Sequence, residues 1–125
     1  TKDGNLAAFP RMADDAEFWL DFARKTWIDT EDGKVALAYD GGIIQMIDGD
    51  TPLPDMWEAW TPFLDIPTLI VRGGISDLLS EDTLAEMKRR KPDLETAIVP
   101  DVGHAPFMTE PEAWAAVSAL LDRVE

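Results

Sequence analysis

The sequence contains no cysteine, which excludes disulfide cross-links and thiolate metal sites alike. It contains one histidine, His104, and its carboxylates follow no ligand spacing, so no metal site is expected. Basic residues are scarce. Eleven against 25 acids leave a formal charge of −14, which repels nucleic acid and anionic lipid and argues against both as partners. The acids are spread over turns and helix starts and form no long block, as on a solvated surface. No apolar run approaches the ~20 residues of a membrane span, and the N-terminus shows no signal-peptide pattern. Internal repeats and low-complexity stretches are absent. Serine occurs three times only, at Ser76, Ser80 and Ser118. The chain opens on Thr1, not Met, which reads as a trimmed or cut start.

What is present suffices for one modest domain: 125 residues, 46% of them hydrophobic. The first dozen residues show no clear period. From Asp14 or Asp15 a helix is expected, because Phe18, Trp19, Phe22 and Ala23 recur at three- and four-residue spacing. Asp32-Gly33 and Asp40-Gly41-Gly42 are turn signals. A second helix is expected from Pro54 to Phe63. The strongest strand pattern follows at Pro67–Arg72, and its continuous aliphatic character suits a strand covered on both faces, as in a parallel sheet. Ser80 can cap a helix that ends in the basic run Lys88–Lys91 and stops at Pro92, a charge order that matches the helix dipole. A second strand is expected over Glu95–Val99. The last helix opens on Thr109-Glu110-Pro111-Glu112, read as a capping box between Thr109 and Glu112. Its buried stripe is expected at Trp114, Val117, Leu120, Leu121 and Val124. Strand–helix–strand–helix is α/β order, with connections long enough for a parallel crossover.

Each strand runs into a glycine-bearing loop: Gly73-Gly74-Ile75-Ser76-Asp77 after the first, Asp101-Val102-Gly103-His104 after the second. Functional groups gather beyond the carboxyl ends of parallel strands. Adjacent strands would bring Asp77 and His104 together across 27 positions of sequence. An aspartate that accepts from imidazole Nδ1–H fixes the tautomer and stabilises the imidazolium during proton transfer. Each residue also has a plainer role open to it. His104 can be a loop residue bonded to a backbone carbonyl, and Asp77 can cap a turn. Asp101 is the reserve acid.

The segments "IPTLIVRGGISDLLS" and "VPDVGHAPFMTEPEAWAAVSALL" together resemble the C-terminal end of the α/β-hydrolase fold. The likeness covers residues 57 to 125. It implies the acid role of a catalytic triad for Asp77 and the base role for His104. Residues 9 to 47, with "FWLDFARKTW" and "YDGGIIQ", resemble the cap that many members of the family insert before the last strands. On that likeness Phe18, Trp19, Phe22, Trp57 and Trp60 would line a substrate pocket, although aromatics at helical spacing equally serve as packing. The family's nucleophile elbow, G-x-S-x-G, is missing. Ser76 lies in G-I-S-D, Ser80 at a helix cap and Ser118 within a helix.

The expectation is therefore an α/β chain: a cap-like helical segment over residues 1–53, then the C-terminal part of a hydrolase core over 54–125. The resemblance implies hydrolysis of an ester, lactone or related bond of a small-molecule substrate, with no cofactor; the absence of cysteine fits a cytoplasmic setting. Two-thirds of a triad is expected to give no turnover alone, and two parallel strands leave edges unfilled, so the chain is expected to dock onto the other half of the fold, self-associate or rearrange. The alternative is a non-catalytic oligomerising or binding module built from the same fold.

Overall fold

The structure, a computed structural model, describes residues 5–40, 42 and 55–124. Residues 1–4, 41 and 43–53 of the cap-like segment lie outside the described residues, as does Pro54, the expected start of the second helix.

The first described stretch packs more closely than its lack of period suggests. Pro10–Met12 form a 3-10 turn. Phe9 is buried beside it, with Leu6, Ala8 and Met12 packed around the same cluster. Helix α1 spans Ala16–Thr26, and the Asp15 carboxylate caps it by accepting from the Phe18 amide at 2.8 Å. Strands β1 (Trp27–Asp29) and β2 (Val35–Leu37) then form an antiparallel hairpin. The turn at Asp32-Gly33 is where the sequence places it, with Gly33 at φ 76°. The hairpin is not legible from pattern, because three-residue strands are too short to show alternation.

Helix α2 (Met56–Trp60) is capped by Asp55 and continues into a 3-10 turn at Thr61–Phe63. Strand β3 (Leu69–Gly73) pairs in parallel with β4 (Glu95–Val99), in register from Leu69 opposite Glu95 to Gly73 opposite Val99. Helix α3 (Glu81–Arg90) connects them, and the Ser80 hydroxyl accepts from the Thr83 amide at 3.0 Å, as expected of its cap. The basic run at its end divides. Lys88, Arg89 and Arg90 face solvent, whereas Lys91 is 1% exposed. Its ammonium donates to the Leu64 carbonyl at 2.9 Å and to both oxygens of Asp93, which holds the Asp93 carboxyl below its ordinary range. Lys91 thus ties the end of α3 to the turn that leads into β3.

Helix α4 (Pro111–Val124) packs across β4 and β3. Two expectations for it are corrected. The capping box does not form. Glu112 instead takes the Arg11 guanidinium at 3.1 Å on both oxygens, tying the N-terminal turn to the helix start. The residue at the helix mouth is Glu110, buried, with its Oε1 accepting from the Phe107 amide at 3.0 Å. The buried stripe also differs. Ala113 is fully buried, while Trp114, Leu121 and Val124 are half exposed or more. The small Ala113 sits against the sheet, and Val117 and Leu120 of the expected stripe are half-buried.

The core is small: Phe9, Trp19, Val99, Val102 and Ala113. It lies at the carboxyl end of β4, so the loop carrying His104 is built directly onto it. Burying side chains the size of Phe or Trp stabilises by about 2–3 kcal/mol each, and most of that gain is concentrated beneath this one loop.

Candidate active site

The two exit loops meet through their backbones. The Gly74 amide donates to the Val99 carbonyl at 2.7 Å, and the Ile75 amide to the Val102 carbonyl at 3.1 Å. Glycine is required at Gly73, where any Cβ would overlap the carbonyls of Val102 and Gly103. Gly103 is pressed in turn against Ala8, and its amide donates to the Ala8 carbonyl at 2.5 Å. Asp77 and His104 therefore stand on one rim of the strand pair, and both are exposed. No side-chain hydrogen bond to either is present among the described residues.

The Asp77 loop is held from below by a residue that pattern reading passes over. Arg72 is 5% exposed. Its Nε donates to the Leu79 carbonyl at 2.7 Å and its two terminal nitrogens to the carbonyls of Gly74 at 3.2 Å and Ser76 at 3.4 Å. The Ser76 hydroxyl closes the same loop by accepting from the Leu79 amide at 3.1 Å. The one available signal was a lone cation ending an otherwise aliphatic strand, immediately before Gly-Gly. Glu110 plays the corresponding part under the His104 loop, accepting from the Phe107 amide with a carboxylate that is 2% exposed. The capping-box reading hid it.

Asp101 sits in the left-handed region at φ 55°, a conformation that Asp tolerates in turns. Its carbonyl accepts from the Arg11 amide at 3.4 Å. It shapes the turn at the exit of β4, between the strand and His104.

The five aromatics expected to line a pocket fall into three settings. Phe18 and Phe22 meet Phe107, three residues past His104, with ring centroids 4.8 and 5.6 Å apart. Together with Asp21, Lys25 and Thr109 they border a hollow of about 170 Å³. Trp19 is core, its indole N–H donating to the Met12 carbonyl at 2.7 Å. Trp57 lies under the Arg90 guanidinium at 4.1 Å, and Trp60 stacks on Phe63 at 5.5 Å. These last two line a separate apolar hollow of about 230 Å³ with Met56 and Met87. Among the described residues, no group of three or more His, Asp or Glu is placed to hold a metal ion. No described helix is long and apolar enough to cross a membrane.

Comparison with known proteins follows the same lines. No family model matches the chain. A 56-residue stretch is 46% identical to a 3-hydroxybutyrate-oligomer hydrolase of Cupriavidus necator, covering 45% of this chain and 19% of that protein. The crystal structure of an α/β hydrolase from Novosphingobium aromaticivorans superposes with a TM-score of 0.79 at 32% identity, covering 98% of this chain and 44% of that one. An E-2-(acetamidomethylene)succinate hydrolase shares the fold at 24% identity, with a TM-score of 0.57 over 82% of this chain and 36% of its own. The chain thus spans less than half the length of each of these relatives.

Proposed function

Because this chain belongs to the α/β-hydrolase-fold family and carries the C-terminal part of that fold, we propose that it supplies the acid and base of a hydrolytic triad. His104 takes the proton of a nucleophile contributed by sequence outside this chain and returns it to the leaving group. Asp77 accepts from the ring Nδ1–H, which selects the tautomer whose Nε2 is free to act as base. The observation that carries this is the backbone stitching of the two exit loops, Gly74 to Val99 and Ile75 to Val102. It sets an acid loop beside a histidine loop at the carboxyl ends of paired parallel strands, where such sites form. No cofactor takes part.

The bond cleaved is an ester. Similarity to a protein named for hydrolysing oligomers of a hydroxy acid supports this, as does the aromatic hollow beside Phe107, which suits a short apolar acyl chain. In this reading α1 and the hairpin belong to a cap over the site. The exposed apolar flank of α4, with Trp114 62% exposed, fits a helix that the remainder of the hydrolase fold covers.

Turnover of p-nitrophenyl esters tests the proposal. The chain alone is expected to be inert, and the natural gene product that contains it to be active. His104→Ala in that longer product should abolish turnover while its denaturation midpoint is preserved. An active natural product indifferent to His104→Ala would refute the proposal. Native association of the 125-residue chain into a stable, inert oligomer, with no longer product in the cell, would favour a binding module instead.

A further inference from the structure

The geometry points to Arg72 as the positioning residue of the acid loop: its guanidinium sets how Asp77 is presented to His104. The inference rests on the acid and base roles proposed above and goes beyond them, since Arg72 touches neither a substrate nor the imidazole.

A buried guanidinium is costly unless its donors are met. Here all three nitrogens are engaged, and each partner is a backbone carbonyl of one loop: Gly74, Ser76 and Leu79. Those three residues bracket Asp77 on both sides. The nearby Glu81 carboxylate, 4.0 Å away and largely in solvent, balances the charge only weakly. The planar fork therefore does what a lysine cannot, spreading its donors over three carbonyls set along one loop where lysine's donors all radiate from a single nitrogen. Loops that leave a strand through two glycines have ample freedom to wander. Among the described residues no side chain bonds Asp77, so its place depends on the backbone that Arg72 holds. An apolar residue at the same position would fill the space and stabilise the strand end equally well. It would leave the loop free.

His104 is the only histidine of this chain, and in the longer natural product its ring ¹⁵N resonances are identified by their loss in His104→Ala. At a pH where the ring is neutral, their shifts report the fraction carrying the proton on Nδ1, the tautomer a carboxylate at that nitrogen selects. The ¹⁵N-labelled natural product that contains this chain, in which the site is complete, is compared with its Asp77→Asn, Arg72→Lys, Arg72→Met and Arg72→Lys/Asp77→Asn variants. Asp77→Asn is expected to lower the Nδ1–H fraction. Arg72→Lys, which keeps the charge and loses the fork, should move the fraction in the same direction, and Arg72→Met further. The double variant should match Asp77→Asn alone. Amide dispersion and denaturation midpoints establish that each variant is folded, and Arg72→Lys decides the matter if Arg72→Met is not. A folded Arg72→Lys with the native tautomer, where Asp77→Asn shifts it, would overturn the positioning role and leave the acid assignment intact. An unshifted Asp77→Asn would remove the acid assignment, and the role of Arg72 with it.

Discussion

At the scale of single residues, the proposed site depends on the glycines where its two loops meet as much as on its proposed acid and base. Gly73 faces the Val102 and Gly103 carbonyls with no room for a methyl group. Gly73→Ala should therefore separate the two loops and destabilise the fold by roughly 3 kcal/mol, as overpacking against backbone does. Gly33→Ala, where a Cβ meets open space and only the positive φ is strained, should cost about 1 kcal/mol. Urea denaturation of the two variants checks the ordering, and equal effects would contradict the close approach of the loops. The neighbouring exit loops that carry His104 and Asp77 were legible in the sequence because glycine punctuates strand ends. Arg72 and Glu110 were not. A charge bonded to backbone carbonyls or amides leaves no complementary residue to look for.

At the scale of elements, strands β3 and β4 and the helices around them fall close to where periodicity and capping residues put them. α4 shows where that logic fails. Its apolar residues cover two faces, so no single stripe exists to be read, and the face against the sheet is chosen by the small size of Ala113. α3 makes the electrostatics testable. Arg89 and Arg90 both bond Glu86 and hold its carboxyl down to about 2. A depressed carboxyl contributes stability above its ordinary pKa, and that contribution is lost as pH falls through the folded value. The native chain should therefore exceed Glu86→Gln in denaturation midpoint near neutrality, and the gap should close between about pH 4.5 and about 2. The pair is solvent-exposed, so added salt should narrow the gap as well. Lys91→Ala, by contrast, removes a buried tether between α3 and the Leu64 carbonyl and should cost about 2 kcal/mol at any salt concentration. Loss of that difference in high salt would show the tether to be no different from a surface pair.

For the molecule as a whole, the core cluster among the described residues is small, five buried apolar side chains with Leu94 buried apart from them. Many large side chains stay in contact with water, among them Leu78 at 73% exposure and Met56 at 65%. Among the described residues, β3 and β4 each pair along one edge only. Both facts fit a unit whose remaining partners lie in the rest of a hydrolase fold. The lack of a nucleophile elbow in the sequence is consistent with that reading. The sequence could not convey that Phe9 and its neighbours join the core, because their contacts are with Val99 and Val102, some 90 positions away. The central claim is that two strand exits meet so that Asp77, and not Asp101, orients His104. Steady-state ester hydrolysis by the natural product containing this chain tests it most directly, with each aspartate changed in turn to asparagine. Asp77→Asn should lower kcat by roughly 10⁴-fold with KM little changed, and Asp101→Asn should stay near the native rate. Full activity in Asp77→Asn with collapse in Asp101→Asn would contradict the account.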